Sequence, residues 1–381
     1  MTALADVPVS GTVAPGFEPV FKAFRDNFSL PDGLADIGAG LTVFHRGEPV
    51  VDLVGGYRDE ARTTEWTPDT VANIWSSTKG VTALAFARLV DRGLVDYDDR
   101  VALYWPEFAV AGKEATTVGQ LISHQGGLNG FRLPTTVEQF GDWPLVTRRL
   151  AEQAPYWVPG EDTSYHAMTF GFLVGELARR ITGLEPRALI ETEVAVPLDA
   201  DIQIGLRQGD LDRVADLVPF DDAGTPPAPD PLAAPAMTNP VVRQDWANRA
   251  GWRAAQVPAA NGHATAHGLA KLYGAVASGD RFDGEPYLSR ETIDALRAPR
   301  STRPDRFLGE RTWGAGVSLN MGGAWGPDPA TFGHTGWGGS FGCANLARGI
   351  GIGYVMSRMG GQIALDPRAV RLCNAIFACA G

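Results

Sequence analysis

Hydrophobic positions first recur at helical spacing, at Phe17, Val20, Phe21, Phe24 and Phe28, which predicts an N-terminal amphipathic helix. Two apolar, β-branched runs follow, GAGLTVFHRG and PVVDLVGGY. They are separated by the turn-like His45-Arg46-Gly47-Glu48 and read as an antiparallel hairpin. From Val81 the residues Leu84, Ala85, Leu89 and Val90 share one helical face, and Gly93 is a plausible stop. Between about 94 and 250 helical periodicity dominates and strand signals are few. It is strongest at Ala167, Phe170, Val174, Leu177, Ala178 and Ile181, with Gly183 as the C-terminal signal. The stretch PFDDAGTPPAPDPLAAPAMTNP, 219–240, holds too much proline for regular structure and reads as a long loop of the kind that covers sites. After a helix around 264–277, TWGAGVSLNM, CANLARG and IGIGYVMSRM read as strands. Ala369, Val370, Leu372, Cys373, Ile376 and Phe377 then suggest a closing helix.

This order predicts an α+β fold. An antiparallel sheet is built from both ends of the chain, 1–75 and 255–381, flanked by N- and C-terminal helices. A mainly helical lobe, 76–254, including the Pro-rich loop, is inserted between them. The cleft between the lobes is the natural pocket.

Composition narrows the chemistry. The 381 residues are 44% hydrophobic and 20% charged, as in an ordinary globular protein. A net charge of -11 with no basic stripe argues against a nucleic-acid partner and for a small molecule. Three cysteines without metal or disulfide spacing imply neither a cofactor metal nor a disulfide framework. The N-terminus lacks an export leader and no run reaches the roughly 20 apolar residues of a membrane span, so the expected location is the cytoplasm, with no membrane partner. Oligomeric state is not legible.

Three short segments carry candidate chemistry. In IWSSTKGVTALAF, Ser76 and Lys79 stand three apart at a helix start. Serine is a poor nucleophile until its proton is removed, and lysine removes it only when burial or nearby cations lower its pKa. With 12 serines and 4 lysines, chance supplies roughly 0.13 such pairs. The alternative makes Ser76 a helix N-cap and Lys79 a solvated first-turn residue. Placement favours chemistry, because basic residues avoid a helix's first turn. In Ser164-Tyr165-His166-Ala167, a tyrosine beside a lysine can exist partly as phenolate and shuttle the serine's proton. Taken alone, Tyr165 reads as a core or interface tyrosine. In Gly333-His334-Thr335-Gly336-Trp337-Gly338-Gly339, glycines in a strand permit close approach of a ligand, and a strand edge could point the Trp337 N–H at an oxyanion. A glycine-rich hairpin turn is the alternative.

In the order SxxK, Tyr, HTG, these segments resemble the serine hydrolases of the class C β-lactamase and penicillin-binding-protein family, especially their esterase branch. VGQLISHQGGL (118–128) and NGHATAHGLAKLY (261–273) are further family-like phrases. The resemblance implies the β-lactamase/transpeptidase-like fold and a cofactor-independent acyl-enzyme mechanism. Ser76 is then the nucleophile, Lys79 its base or relay, and Tyr165 the general base/acid. The backbone N–H groups of Ser76 and Trp337 form the oxyanion hole, and His334, Thr335, Gly336, His166 and Gln125 line the substrate site. Two departures bear on substrate. Ala167 stands where the β-lactamases have Asn, and His334, only partly charged near neutrality, replaces the lysine that meets a substrate carboxylate. Both point from β-lactams and peptides towards small uncharged esters.

Rival readings come from the same residues. Gly338-Gly339-Ser340-Phe341-Gly342 matches the GxSxG elbow formally, but no histidine follows His334 to complete a triad. His263 and His267 are spaced like helical metal ligands but lack the intervening glutamate, Ala264 standing there, so His263 is better read as a capping or pocket-lining residue. Lys113, Lys271, His45 and His124 belong to no constellation. The expected activity is hydrolysis of short-chain carboxylic esters. Acyl transfer, weak β-lactamase or D-amino-peptidase activity, and a non-enzymatic binding module are the alternatives.

Overall fold

The computed structural model describes residues 7–381 apart from 32, 221–229, 280, 283, 284, 302, 321, 322, 324 and 365. The chain opens with β1 (Val9–Val13), a mostly exposed edge strand with too little apolar content to be announced by pattern. In α1 (Glu18–Asp26) Val20 and Phe24 point inward while Phe21 is 36% exposed. The hairpin β2 (Gly38–His45) and β3 (Glu48–Gly56) follows, with Arg46 and Gly47 as its turn. A two-residue strand β4 (Ala72–Asn73) leads into α2 (Ser77–Asp91).

Helices then dominate, as their periodicity predicts: α3 (Val118–Ile122), α4 (Trp143–Glu152), α5 (Thr169–Thr182), α6 (Pro186–Ile190), α7 (Val196–Leu198), α8 (Pro235–Thr238) and α9 (Ala250–Ala254). Gly183 ends α5 in the left-handed conformation. Residues 221–229 of the Pro-rich segment lie outside the described residues. The strand β5 (Ile202–Ile204) interrupts this run and pairs with β6 (Gly262–Ala264), which also pairs with β4. Then come α10 (Ala266–Ser278), the ribbon β7 (Arg281–Phe282) and β8 (Glu285–Pro286), and α11 (Arg290–Arg297). Strands β9 (Ser318–Leu319), β10 (Phe332–Thr335), β11 (Phe341–Asn345) and β12 (Ile350–Met356) precede the closing helix α12 (Pro367–Cys379). Of the expected strand TWGAGVSLNM, whose Met321 lies outside the described residues, Ser318–Leu319 joins the sheet, while the backbone at Gly314–Val317 turns on itself, with Gly314 N–H on Val317 O at 2.9 Å and Trp313 bridged to Ser318.

The seven-stranded sheet is antiparallel in the order β1-β3-β2-β12-β11-β10-β9, so residues 9–56 and 318–356 share one sheet. α10 packs across β12, β2 and β11, and α1 packs on α12. The expected one-sided face of α2 proves too modest: Ser77–Ala87 and Leu89 are all buried. A helix apolar all round belongs in the interior, and α2 contacts α5 and α11 as well as β10 and β11. It carries its N-terminal turn to the end of β10. Among the described residues no helix is long and apolar enough to cross a membrane.

Candidate active site

The small sheet delivers the chain to Ile74, whose N–H donates to Gly262 O at 2.9 Å. Trp75 follows with φ 43°, a conformation seldom taken by a bulky residue. Ser76 already has helical backbone angles, and its side chain makes no capping hydrogen bond. Ser76 thus holds the N-cap position of α2 without capping it through its hydroxyl. Its Oγ lies instead 3.1 Å from Lys79 Nζ.

Lys79 is fully buried and has no ion-pair partner among the described residues. Its Nζ contacts Ala167 O at 2.7 Å and Ala259 O at 2.9 Å. Burial alone holds its pKa well below the ordinary lysine range. A neutral amine has two N–H donors and one lone pair, and carbonyl oxygens can only accept. In its neutral form, then, the two N–H groups would go to Ala167 and Ala259 and leave the lone pair for the Ser76 hydroxyl.

Tyr165 sits ahead of α5, buried, with its ring stacked on Trp313 at 5.8 Å and 10°. Lys79 Nζ lies 4.7 Å from its ring centroid. The Tyr165 N–H donates to Asp305 Oδ1 at 3.2 Å. The same carboxylate takes the N–H groups of Phe307 and Leu308, both at 2.9 Å, and the Trp313 indole at 3.0 Å. One buried carboxylate thus fixes both members of the stack. Burial raises the Tyr165 pKa; the Ser76 hydroxyl opposes that, Asp305 adds to it and Arg311 opposes it. The expected phenolate is corrected on this point: burial favours the uncharged form of both tyrosine and lysine.

The HTG segment forms the end of β10 and the turn after it. Any side chain at Gly336 would place Cβ 2.3 Å from Ile74 O and 2.1 Å from Ser340 Oγ, so glycine alone lets this strand meet the Ser76 turn. His334 is buried, and its ring Nδ1 lies 2.8 Å from Thr335 O, as a donor. Burial above all pushes its pKa down to about 3. It is therefore neutral at pH 7 rather than partly charged. Thr335 lines a small cavity together with Tyr165, His334, Trp313 and Arg311. The half-buried Arg311 donates to Ser318 Oγ at 2.9 Å and has no ion pair among the described residues. The rings of Trp337 and Trp75 meet at 5.5 Å. Among the described residues, no protein acceptor engages the backbone N–H of Ser76 or of Trp337.

Two of the expected lining residues are engaged elsewhere. His166 is fully buried, with Nδ1 2.7 Å from Ser164 O and Nε2 accepting from Leu128 N–H at 3.1 Å, so neither ring nitrogen is free. The Gln125 amide donates to Ser123 Oγ at 2.7 Å and Arg300 O at 3.1 Å. Ser340 is no elbow nucleophile by geometry. It sits in the β10–β11 connection, ahead of a strand, and its hydroxyl donates to Ile74 O at 2.8 Å. His263 lies in β6 with Nδ1 3.0 Å from Asn261 O, and His267 in α10 pairs with Asp52 at 3.0 Å, so the two do not share a helix. Among the described residues no cluster of His, Cys, Asp and Glu could hold a metal ion.

Ala259, Asp305, Arg311 and Trp313 were not legible beforehand. Ala259 acts through its carbonyl. The other three lie in an irregular stretch where no period or motif marks them.

Comparison with known proteins identifies the family. The beta-lactamase family profile matches residues 30–374. Esterase/beta-lactamase LipL of Mycobacterium tuberculosis (strain ATCC 25618 / H37Rv) is 36% identical, with 92% of this chain and 83% of the relative covered. The crystal structure of a family VIII carboxylesterase superposes with TM-score 0.91 at 40% identity, covering 98% of this chain and 100% of the other. EstA from Arthrobacter nitroguajacolicus Rue61a does so with TM-score 0.86 at 32% identity, covering 97% and 98%. With its family profile spanning nearly the whole chain and Ser76, Lys79 and Tyr165 gathered at one buried site, this chain belongs to the beta-lactamase family.

Proposed function

We propose that the protein is a serine carboxylesterase that hydrolyses short-chain esters through an acyl-enzyme on Ser76. Ester hydrolysis as such is supported by the esterase and carboxylesterase relatives. The single observation that carries the finer reading is the fully buried Lys79 amine, without an ion-pair partner among the described residues and with Ala167 O, Ala259 O and Ser76 Oγ all within hydrogen-bond distance of Nζ.

In the proposed cycle Ser76 Oγ attacks the ester carbonyl as its proton passes to Lys79 Nζ. The carbonyl oxygen becomes an oxyanion that accepts from the Ser76 and Trp337 backbone N–H groups, which no acceptor among the described residues engages. Collapse of the tetrahedral adduct breaks the bond to the alcohol. Tyr165 gives its phenolic proton to the departing alkoxide and regains one from Lys79. Water then attacks the acyl-enzyme, surrenders a proton along the same path, and the acid leaves with Ser76 restored. The site lies where the sheet lobe, 1–75 and 255–381, meets the helical lobe, 76–254. No step calls for a cofactor.

The features at 167 and 334 support esters over lactams. Ala167 offers no side-chain amide, and its carbonyl is engaged by Lys79. His334 is neutral and supplies no fixed cation where the β-lactamase lysine would stand. The test is labelling with a fluorophosphonate followed by peptide mapping, alongside turnover of p-nitrophenyl acetate and butyrate. The expected adduct is on Ser76 with measurable ester turnover. No adduct and no turnover would refute the esterase reading, and nitrocefin turnover equal to ester turnover would refute the substrate assignment.

A further inference from the structure

Two glycines follow the proposed oxyanion donor Trp337, and both have angles that other residues avoid: Gly338 φ 91° and Gly339 φ 126°. Consecutive glycines are the least restrained stretch a backbone can have, yet an oxyanion hole works because its donors are held in place before the reaction. The turn closes on itself through Gly336 N–H to Ser340 O at 2.6 Å and Gly339 N–H to Gly336 O at 3.2 Å, and the Gly338 carbonyl at its tip is held from outside it.

We propose that Arg368 is the positioning residue of the oxyanion hole, its guanidinium holding the Gly338 carbonyl and so the orientation of the Trp337 N–H. This rests on the reading of Trp337 as an oxyanion donor. Arg368 is the second residue of α12 and is completely buried. All five of its guanidinium hydrogens are used. Nη2 donates to Gly338 O at 2.6 Å and to Asp366 Oδ2 at 2.8 Å. Nη1 donates to Asp36 Oδ1 at 2.7 Å and to Arg358 O at 2.8 Å, and Nε to Asp366 Oδ1 at 2.9 Å. Asp36 is itself held by the Tyr354 hydroxyl at 2.6 Å. Four separate parts of the chain converge on one planar group: the start of β2, the end of β12, the oxyanion turn and the start of α12.

The turn is shaped around this group. The Gly338 carbonyl takes a second donor, Gly360 N–H, at 2.8 Å. A Cβ at Gly339 would stand 2.9 Å from Arg368 Nη2, and one at Gly338 would stand 2.7 Å from Met359 Cβ. Burying a guanidinium with two carboxylates costs desolvation that an apolar filling would avoid. Here the charged group lies directly behind the catalytic turn, where a rigid, five-point fork does what an apolar side chain cannot. A lysine could not reproduce it, because three donors radiating from one nitrogen do not match the fork.

The test compares Arg368→Lys with Glu176→Gln, a control that weakens a buried ion cluster in α5 away from the turn. Measurements are kcat and KM for p-nitrophenyl acetate, the inhibition constant of a phenylboronic acid that places an oxygen in the oxyanion hole, and the thermal midpoint. For Arg368→Lys the expectation is a fall in kcat of roughly 30-fold, short of the 10²–10³ seen when a donor is deleted outright. KM should stay within about threefold and boronate affinity should fall in parallel with kcat. The control loses stability but not boronate affinity. Unchanged kcat in folded Arg368→Lys, or losses tracking stability equally in both variants, would overturn the proposal. A readout on the unaltered protein stands if the variant fails to fold: the Gly338 and Gly339 amides should exchange hydrogen as slowly as those of β11, and fast exchange there would also overturn it. An unaltered protein inactive towards both ester and fluorophosphonate would instead refute the esterase reading itself.

Discussion

Lys79 Nζ lies 3.1 Å from Ser76 Oγ, a fully buried lysine that has no carboxylate partner among the described residues. That relationship decides which protonation state the site holds at rest, and the first prediction follows from it. Lys79→Met should lower kcat by about 10³-fold, within the range for loss of a positioned base, with the circular dichroism spectrum unchanged. The pH dependence of stability should change too. The folded pKa of Lys79 lies well below its ordinary 10.5, so between the two values the unfolded chain binds the extra proton. The stability attached to the neutral amine is therefore complete above 10.5 and is lost as pH falls through the folded value. Urea midpoints at pH 7 and 9.5 should rise more with pH for the wild type than for Lys79→Met. Equal slopes would mean that Lys79 is charged in the folded protein.

Tyr165 is assigned to the leaving group, so its importance should depend on how badly that group needs a proton. Tyr165→Phe should slow an ethyl ester by roughly 10²–10⁴-fold, but p-nitrophenyl esters much less, because p-nitrophenolate departs unaided. A loss that ignores leaving-group acidity would assign Tyr165 to nucleophile activation instead.

Two serines near the same turn separate function from structure. Ser76→Ala should abolish both turnover and fluorophosphonate labelling. Ser340→Ala should keep the label and lose about 1 kcal/mol of stability, the worth of one buried hydrogen bond, here the bond to Ile74 O. Labelling that survives in Ser76→Ala would sink the assignment of the nucleophile.

Arg311 is a cation with one neutral partner, Ser318, in the cavity that Tyr165, His334 and Thr335 also line. Arg311→Met should reduce kcat/KM about tenfold more for an aryl acetate whose alcohol portion carries a carboxylate than for its neutral methyl ester, since a charge-assisted hydrogen bond contributes on the order of 1.5–3 kcal/mol. Equal effects on the two esters would show that Arg311 acts on the fold and not on substrate charge.

Gly336→Ala tests the meeting of β10 with the nucleophile turn. Its Cβ would stand 2.3 Å from the backbone oxygen of Ile74, which cannot rotate away. The expected outcome is a protein with a lowered thermal midpoint and little turnover. Full activity in this variant would show that the two segments do not need this contact.

The sequence alone determined the elements that repeat with a strong period or carry a short-range motif. The hairpin around Arg46-Gly47, α5 with its Gly183 stop, and the order of SxxK, Tyr and HTG were all legible, because each is encoded by neighbours within a few residues. The edge strand β1 and the strand β5 were not, since they exist only through partners far away in the chain. Nor was the setting of α2, whose sequence suggested one apolar face although packing covers it all round.

Tertiary structure decided the chemistry of the motif. The spacing put Ser76 beside Lys79, but only burial among Ala167 O, Ala259 O and the Tyr165 ring lowers the amine's pKa. The same desolvation makes His334 and Tyr165 neutral, which composition and spacing could not foretell. His166 and Gln125, expected at the substrate, are turned into the fold by hydrogen bonds to residues that come near them only on folding. Asp305, Arg311 and Arg368 enter by long-range contact alone. Local pattern can specify which residues share a helix turn. The pKa of a buried group, and the partners that hold it, depend on everything packed around it, and that is settled only when distant segments meet.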